Sequence, residues 1–207
     1  MIISDSRKFI FVAIPKTGTH SVRRALRPHM GDEDMEQVHL FEERKLPIPE
    51  LARLRHGHIS LAELRPHLDA AKFDSFFKFA FVRNPFDRFV SYCAFMTRER
   101  GEFKKDPQSV MSHILTAPQP RAHILFQPQS KFITGADGKP LTDYIGRFEE
   151  MQASFDEICD RIGIPHTRLE KTNESSRSDY RQYYDERLKQ GVAKLYAQDL
   201  DLLGYDF

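Results

Sequence analysis

The sequence predicts an α/β fold of three layers, with a mainly parallel sheet flanked by helices. Two observations carry this. Residues 9–14, FIFVAI, and residues 76–82, FFKFAFV, are apolar runs of strand length, rich in aromatic and β-branched side chains. Each run breaks into a short polar loop and then into a helical pattern. Strands apolar on both sides are covered on both faces, the condition of parallel strands packed between helices.

After the first run, Pro15 ends the strand and Lys16, Thr17, Gly18 and Thr19 form a tight turn. Helical spacing resumes at Ser21 with Val22, Ala25, Leu26 and His29. Backbone N–H groups, the positive end of the helix dipole, an ammonium group and the hydroxyls of Thr17, Thr19 and Ser21 would converge on one volume, a receptor for an oxyanion. The other reading is an ordinary strand-to-helix turn with a solvated lysine. It is not a Walker A loop, because the lysine precedes the glycine and no glycine stands five residues before Gly18.

The first helix ends near Arg27, since Pro28 disfavours helical geometry before it. Residues 31–37, GDEDMEQ, read as an acidic surface excursion without chemistry. In HGHIS, Ser60 and Glu63 make a capping box that starts a short helix just after His56 and His58. On an extended backbone the two imidazoles point the same way, and Gly57 lets a ligand approach. Three readings stay open: solvated or structural histidines, a catalytic pair, or a metal site lacking an evident third ligand.

The second run ends on Arg83. Asn84 can cap a helix, Pro85 suits its first position and Asp87 complements its dipole. The apolar side is Phe86, Phe89, Val90, Cys93 and Met96, while Arg88 and Ser91 share another part of the surface. Arg83 either pairs with a carboxylate or forks onto a phosphate. Further on, Asp106 and Pro107 begin a helix, and a strand at residues 144–148 precedes a helix to about Ile162.

Length and composition set bounds. A chain of 207 residues with 40% hydrophobic content and 17 phenylalanines can build one domain, residues 1–207. No apolar run reaches membrane-spanning length and no cleavable signal pattern opens the chain, which places it in the cytoplasm. Cys93 and Cys159 read as buried thiols, without disulfide or zinc spacing. A net charge of +1 argues against a general nucleic-acid binder but allows a local basic pocket.

The pair PKTGTHS and RNPFDRFVSY resembles the two nucleotide-binding signatures of sulfotransferases that use 3′-phosphoadenylyl sulfate (PAPS), in particular the carbohydrate and heparan sulfate branch. The resemblance implies that Lys16, Thr17, Gly18, Thr19 and Ser21 hold the 5′-phosphosulfate and that Arg83 and Ser91, eight positions apart, hold the 3′-phosphate. His20 departs from the family, where threonine or serine is usual. HGHIS resembles the uronyl 2-O-sulfotransferase pattern, which implies His58 as general base and His56 as its helper or an acceptor-orienting group. The segments around residues 123–133 and 144–148, the loop with Asn173, Glu174 and Ser175, and the closing helix around Val192, Leu195 and Tyr196 also resemble the family. Residues 171–177 would then form a flap over the nucleotide or a plain surface loop.

What the resemblance implies is a P-loop-like nucleotide-binding fold and transfer of a sulfuryl group from PAPS to a hydroxyl, favouring a glycan, with no metal. Lys16 would neutralise the leaving phosphate oxygen, and an imidazole titrating near 6.5 suits removal of the alcohol proton. The partners are a nucleotide donor and a hydroxylated acceptor, with no nucleic acid. A P-loop kinase and a non-catalytic nucleotide-binding module are the alternatives. A kinase would want a Walker A order and an acidic metal ligand, and Arg83 stands where that ligand belongs.

Overall fold

The computed structural model describes residues 1–38, 46–170 and 179–207, so the loop at 171–177, with Asn173, Glu174 and Ser175, lies outside the described residues. In chain order the main elements are β1 (Ile2–Ser4), β2 (Phe9–Val12), α1 (Thr19–Leu26), β3 (Met35–Glu36), α2 (Leu61–Leu64), β4 (Phe77–Val82), α3 (Pro85–Met96), α4 (Pro107–Thr116), β5 (Tyr144–Arg147), α5 (Met151–Ile162), α6 (Glu186–Leu195) and α7 (Ala197–Leu203). Other short helices and helical turns lie between them. No described helix is long and apolar enough to cross a membrane.

The sheet has the order β3-β1-β2-β4-β5. β2, β4 and β5 run parallel to one another, whereas β1 is antiparallel to both β2 and β3. Four strands thus share one direction and β1 alone opposes it, a mainly parallel sheet of the expected class. Two strands were not legible. Three residues of β1 are too few to show a pattern, and β3 is only Met35 and Glu36 at the end of an acidic stretch, although Glu36 is buried. The excursion at residues 31–37 therefore carries a sheet edge, not only surface.

The chain divides into two compact units, one of residues 1–82 with 131–172, the other of residues 83–130 with 173–207. In the first unit, Phe9 and Phe11 of β2 and Phe79 and Phe81 of β4 point to one face. There they pack with Val22 and Leu26 of α1 and Phe155 and Ile158 of α5. The rings of Phe11 and Phe79 stack 5.3 Å apart. The alternate residues Ile10, Val12, Ala80 and Val82 are buried too, which is why both runs read as apolar throughout.

The second unit has its own core. Phe86, Phe89, Val90 and Cys93 of α3 pack with Met111 and Ile114 of α4 and Leu188 and Val192 of α6. The start of α3 is as expected: Asn84 accepts the Phe86 N–H at 3.0 Å and Pro85 occupies the first turn. Met96 does not join the apolar side; it is 46% exposed at the helix end. Both cysteines are buried and stand outside any disulfide.

Candidate active site

β2 and β4 are neighbours and parallel, so the chain leaving each emerges from the same edge of the sheet. After β2, Lys16 and Gly18 both take left-handed backbone, at φ 66° and 78°. A Cβ on Gly18 would lie 2.5 Å from Met151 Cε, so the loop is pressed against the start of α5. The turn delivers α1 at Thr19, two residues earlier than the spacing indicated, with Gly18 as the capping residue. A left-handed lysine is strained and persists only where its surroundings enforce it.

The loop hydroxyls are less available than expected. Thr17 is buried and donates its hydroxyl proton to the Ile14 carbonyl at 3.0 Å. Ser21 donates its own to the Glu170 carbonyl at 2.7 Å, and its N–H goes to the Gly18 carbonyl. What this loop offers an anion is the first N–H groups of α1, the helix dipole and the Lys16 ammonium. The field is positive here. His20, on α1, has its imidazole pushed below the usual value first by desolvation and then by Arg23, Lys16, Arg27 and Arg24.

The capping box at α2 is present: Ser60 Oγ accepts the Glu63 N–H at 3.1 Å, and Glu63 Oε2 accepts the Ser60 N–H at 2.8 Å. His58, just before it, places Nδ1 2.6 Å from the carbonyl oxygen of Ala13. A carbonyl has no proton to give, so Nδ1–H donates and Nε2 keeps its lone pair. Burial holds this imidazole down to about 3; the Ala13 carbonyl opposes the shift, while Arg23, the amino group of residue 1 and His56 add to it. The expectation of an imidazole titrating near 6.5 is thereby corrected: desolvation keeps His58 neutral. The His56 ring lies 6.2 Å from that of His58.

Gly57 has a different purpose from the one its sequence suggested. A Cβ there would sit 2.0 Å from the Gln37 carbonyl oxygen, so the close approach is made by the protein's own backbone, not by a ligand. Among the described residues no group of three or more His, Cys, Asp or Glu side chains could hold a metal ion.

In the second unit, Arg83 forks onto Asp87, with Nε 2.7 Å and Nη2 2.6 Å from the same carboxylate oxygen. The ion-pair reading therefore describes the structure as it stands. Gln129 secures the Arg83 backbone from both sides: its Oε1 accepts the N–H at 2.9 Å and its Nε2 donates to the C=O at 2.8 Å. Ser91 is buried two helical turns along α3. Arg88 is buried as well, donating to the Gln127 carbonyl, so the two do not share a surface patch.

A model of the Sulfotransferase family matches residues 1–206. The chain belongs to the sulfotransferase family. It is similar to carbohydrate sulfotransferase 14 of Homo sapiens, at 21% identity over 82% of this chain and 48% of that protein, and equally to the same protein of Mus musculus. It thus spans about half the length of the curated relatives it matches. No solved structure matches it.

For a sulfotransferase, the residues that sequence reasoning missed are those that brace the site. Gln129 is one, and Asp199 behind it accepts the N–H groups of Gln129 and Ser130 at 2.7 and 2.8 Å. Gln37 is another, donating to the Leu51 and His56 carbonyls and accepting the Leu46 N–H. An amide that mimics backbone leaves no spacing signature. Arg23 was visible in principle, as a cation next to Val22 and three residues before Leu26 on the apolar side of α1.

Proposed function

We propose that this chain, acting as one domain over residues 1–207, transfers a sulfuryl group from PAPS to a carbohydrate hydroxyl, with His58 as general base. The observation that carries the reading is the bond from His58 Nδ1 to the Ala13 carbonyl. It ties the candidate base to the strand end three residues before Lys16, so anion loop and base belong to one continuous piece of structure. The carbohydrate acceptor rests on the names of the relatives. The kinase alternative is set aside by family membership.

The residues fit the donor's phosphosulfate end. Lys16 and the start of α1 supply charge and directed N–H groups where the leaving oxygen becomes anionic. Arg83 would exchange Asp87 for the 3′-phosphate, with Ser91 beside it, and Thr17 and Ser21 would act mainly by shaping the loop and α1. As the acceptor oxygen bonds to sulfur, its proton passes to His58 Nε2 and the bond from sulfur to the phosphate oxygen breaks. Holding Nδ1–H on a carbonyl keeps the other nitrogen ready, and His56 orients the acceptor or assists.

The test uses radiolabelled donor against a panel of glycans and simple alcohols, with wild type and His58→Ala. A general base contributes about 10² to 10⁴ in rate. The variant should lose at least about a hundredfold in turnover and keep its affinity for adenosine 3′,5′-bisphosphate. Retention of more than about a third of turnover, with chemistry limiting, removes His58 from the role. A wild-type chain that binds the bisphosphate but labels no acceptor is a binding module instead.

A further inference from the structure

Arg23 lies on α1 outside the anion loop, with only 4% of its surface exposed. Its Nη2 donates to two backbone carbonyls, Gln37 at 3.2 Å and Gly57 at 3.4 Å. Among the described residues its carboxylate partner is the buried Glu36. Glu36 lies 3.7 Å from Nε, and the same carboxylate makes a closer pair with Arg27 at 2.9 Å. Burying a guanidinium is costly unless its donors and charge are met, and here part of that need is met by backbone of the turn between the two histidines.

The carbonyls it holds are informative. Gly57 stands between the two histidines, and a Cβ there would come within 2.6 Å of Arg23 Nη2 as well as 2.0 Å of the Gln37 oxygen. The turn that carries His56 and His58 is therefore closed onto the guanidinium together with the amino group of Met1, which donates to the same two carbonyls. We propose that Arg23 is a positioning residue for sulfuryl transfer: by gripping the Gly57 and Gln37 carbonyls it fixes the turn that sets His58 against the Ala13 carbonyl with Nε2 as the proton acceptor.

This rests on the reading of His58 as base and adds a link to it. α1 begins at the anion loop and carries Arg23 one turn later, so the loop and the turn that bears the base are tied to one helix. Among the described residues, the groups that act on His58 are Arg23, the amino group of residue 1, His56 and the Ala13 carbonyl. Arg23 is thus also a positive charge that disfavours lingering imidazolium and favours release of the transferred proton.

The experiment compares wild type, Arg23→Lys, Arg23→Met and His58→Ala as full chains. The readouts are kcat and KM, affinity for adenosine 3′,5′-bisphosphate, and ¹⁵N spectra of the imidazoles and guanidinium groups. Arg23→Lys should lose about tenfold or more in kcat while its bisphosphate affinity stays within about threefold. His58 should cease to be purely Nδ1-protonated in the same variant. Arg23→Met should lose more, and its His58 should take up a proton at higher pH. In wild type the Arg23 guanidinium should rotate slowly, a measurement that needs no variant to fold.

A freely rotating wild-type guanidinium overturns the proposal. So does a folded Arg23→Lys chain with kcat within about threefold of wild type and an unchanged His58 tautomer, while His58→Ala is inactive. If His58→Ala itself retains turnover, the base reading falls, and the catalytic role of Arg23 falls with it.

Discussion

Lys16 spends backbone energy to be where it is, in a left-handed conformation at φ 66° that suits glycine. Lys16→Gly should therefore gain up to about 1 kcal/mol of stability while losing at least about tenfold in turnover, and Lys16→Ala should lose turnover without the gain. Urea unfolding beside kinetics checks both; a glycine variant less stable than the alanine one would show that the strain is not felt. Arg83 invites a binding test. A charge-assisted fork contributes roughly 1.5 to 3 kcal/mol, and the Asp87 pair must be given up to form it. Arg83→Ala should weaken adenosine 3′,5′-bisphosphate about tenfold or more and leave AMP nearly unchanged by calorimetry; equal losses for both would place the arginine elsewhere. His58 gives a pH prediction. Its folded value, held down to about 3 by burial, lies below the unfolded one near 6.5, so the unfolded chain binds the extra proton between them. Stability from this burial is full above about pH 6.5 and is lost as pH falls toward 3, by up to about 1.4 kcal/mol per unit. Urea midpoints should drop more steeply with acid in wild type than in His58→Gln, and parallel slopes would mean that the ring is not desolvated. Turnover should show no acidic limb near 6.5 from this residue.

At the level of elements, the two central strands and the helices after them were legible because burial on both faces writes an unbroken apolar run. The caps at Ser60, Asn84 and Asp106 were legible because a capping side chain bonds within three residues of itself. What escaped depends on partners distant in sequence. Gln37 and Gln129 reach main-chain groups 14 and 46 residues away, and neither a period nor a local motif encodes that. The same distance hid the true neighbour of Gly57. Gln129 is the sharper test, since its amide pairs with both backbone groups of Arg83 at the junction of β4 and α3. Gln129→Met keeps the volume but orphans a buried N–H and C=O, each costing about 1 to 3 kcal/mol. Unfolding should register a loss of about 2 kcal/mol or more, and a change within about 0.5 would show that water or another group replaces the amide.

For the molecule as a whole, the sheet class and the family followed from the sequence, whereas the division into two units did not, because neither is a continuous stretch. One takes residues 1–82 and 131–172, the other 83–130 and 173–207. A fragment ending at residue 130 contains neither unit complete, so it should lack cooperative unfolding and exchange its amides quickly; protection comparable to the full chain would contradict the division. The interleaving also matters while the chain is being made. β4 is finished at residue 82, but β5, which covers its free edge, is not translated until residues 144–147. For some sixty codons, roughly several seconds at ordinary elongation rates, an apolar strand of the nascent chain waits with one side bare. The ribosome-bound intermediate is thus the state most exposed to aggregation, and the stage at which a chaperone would have something to hold.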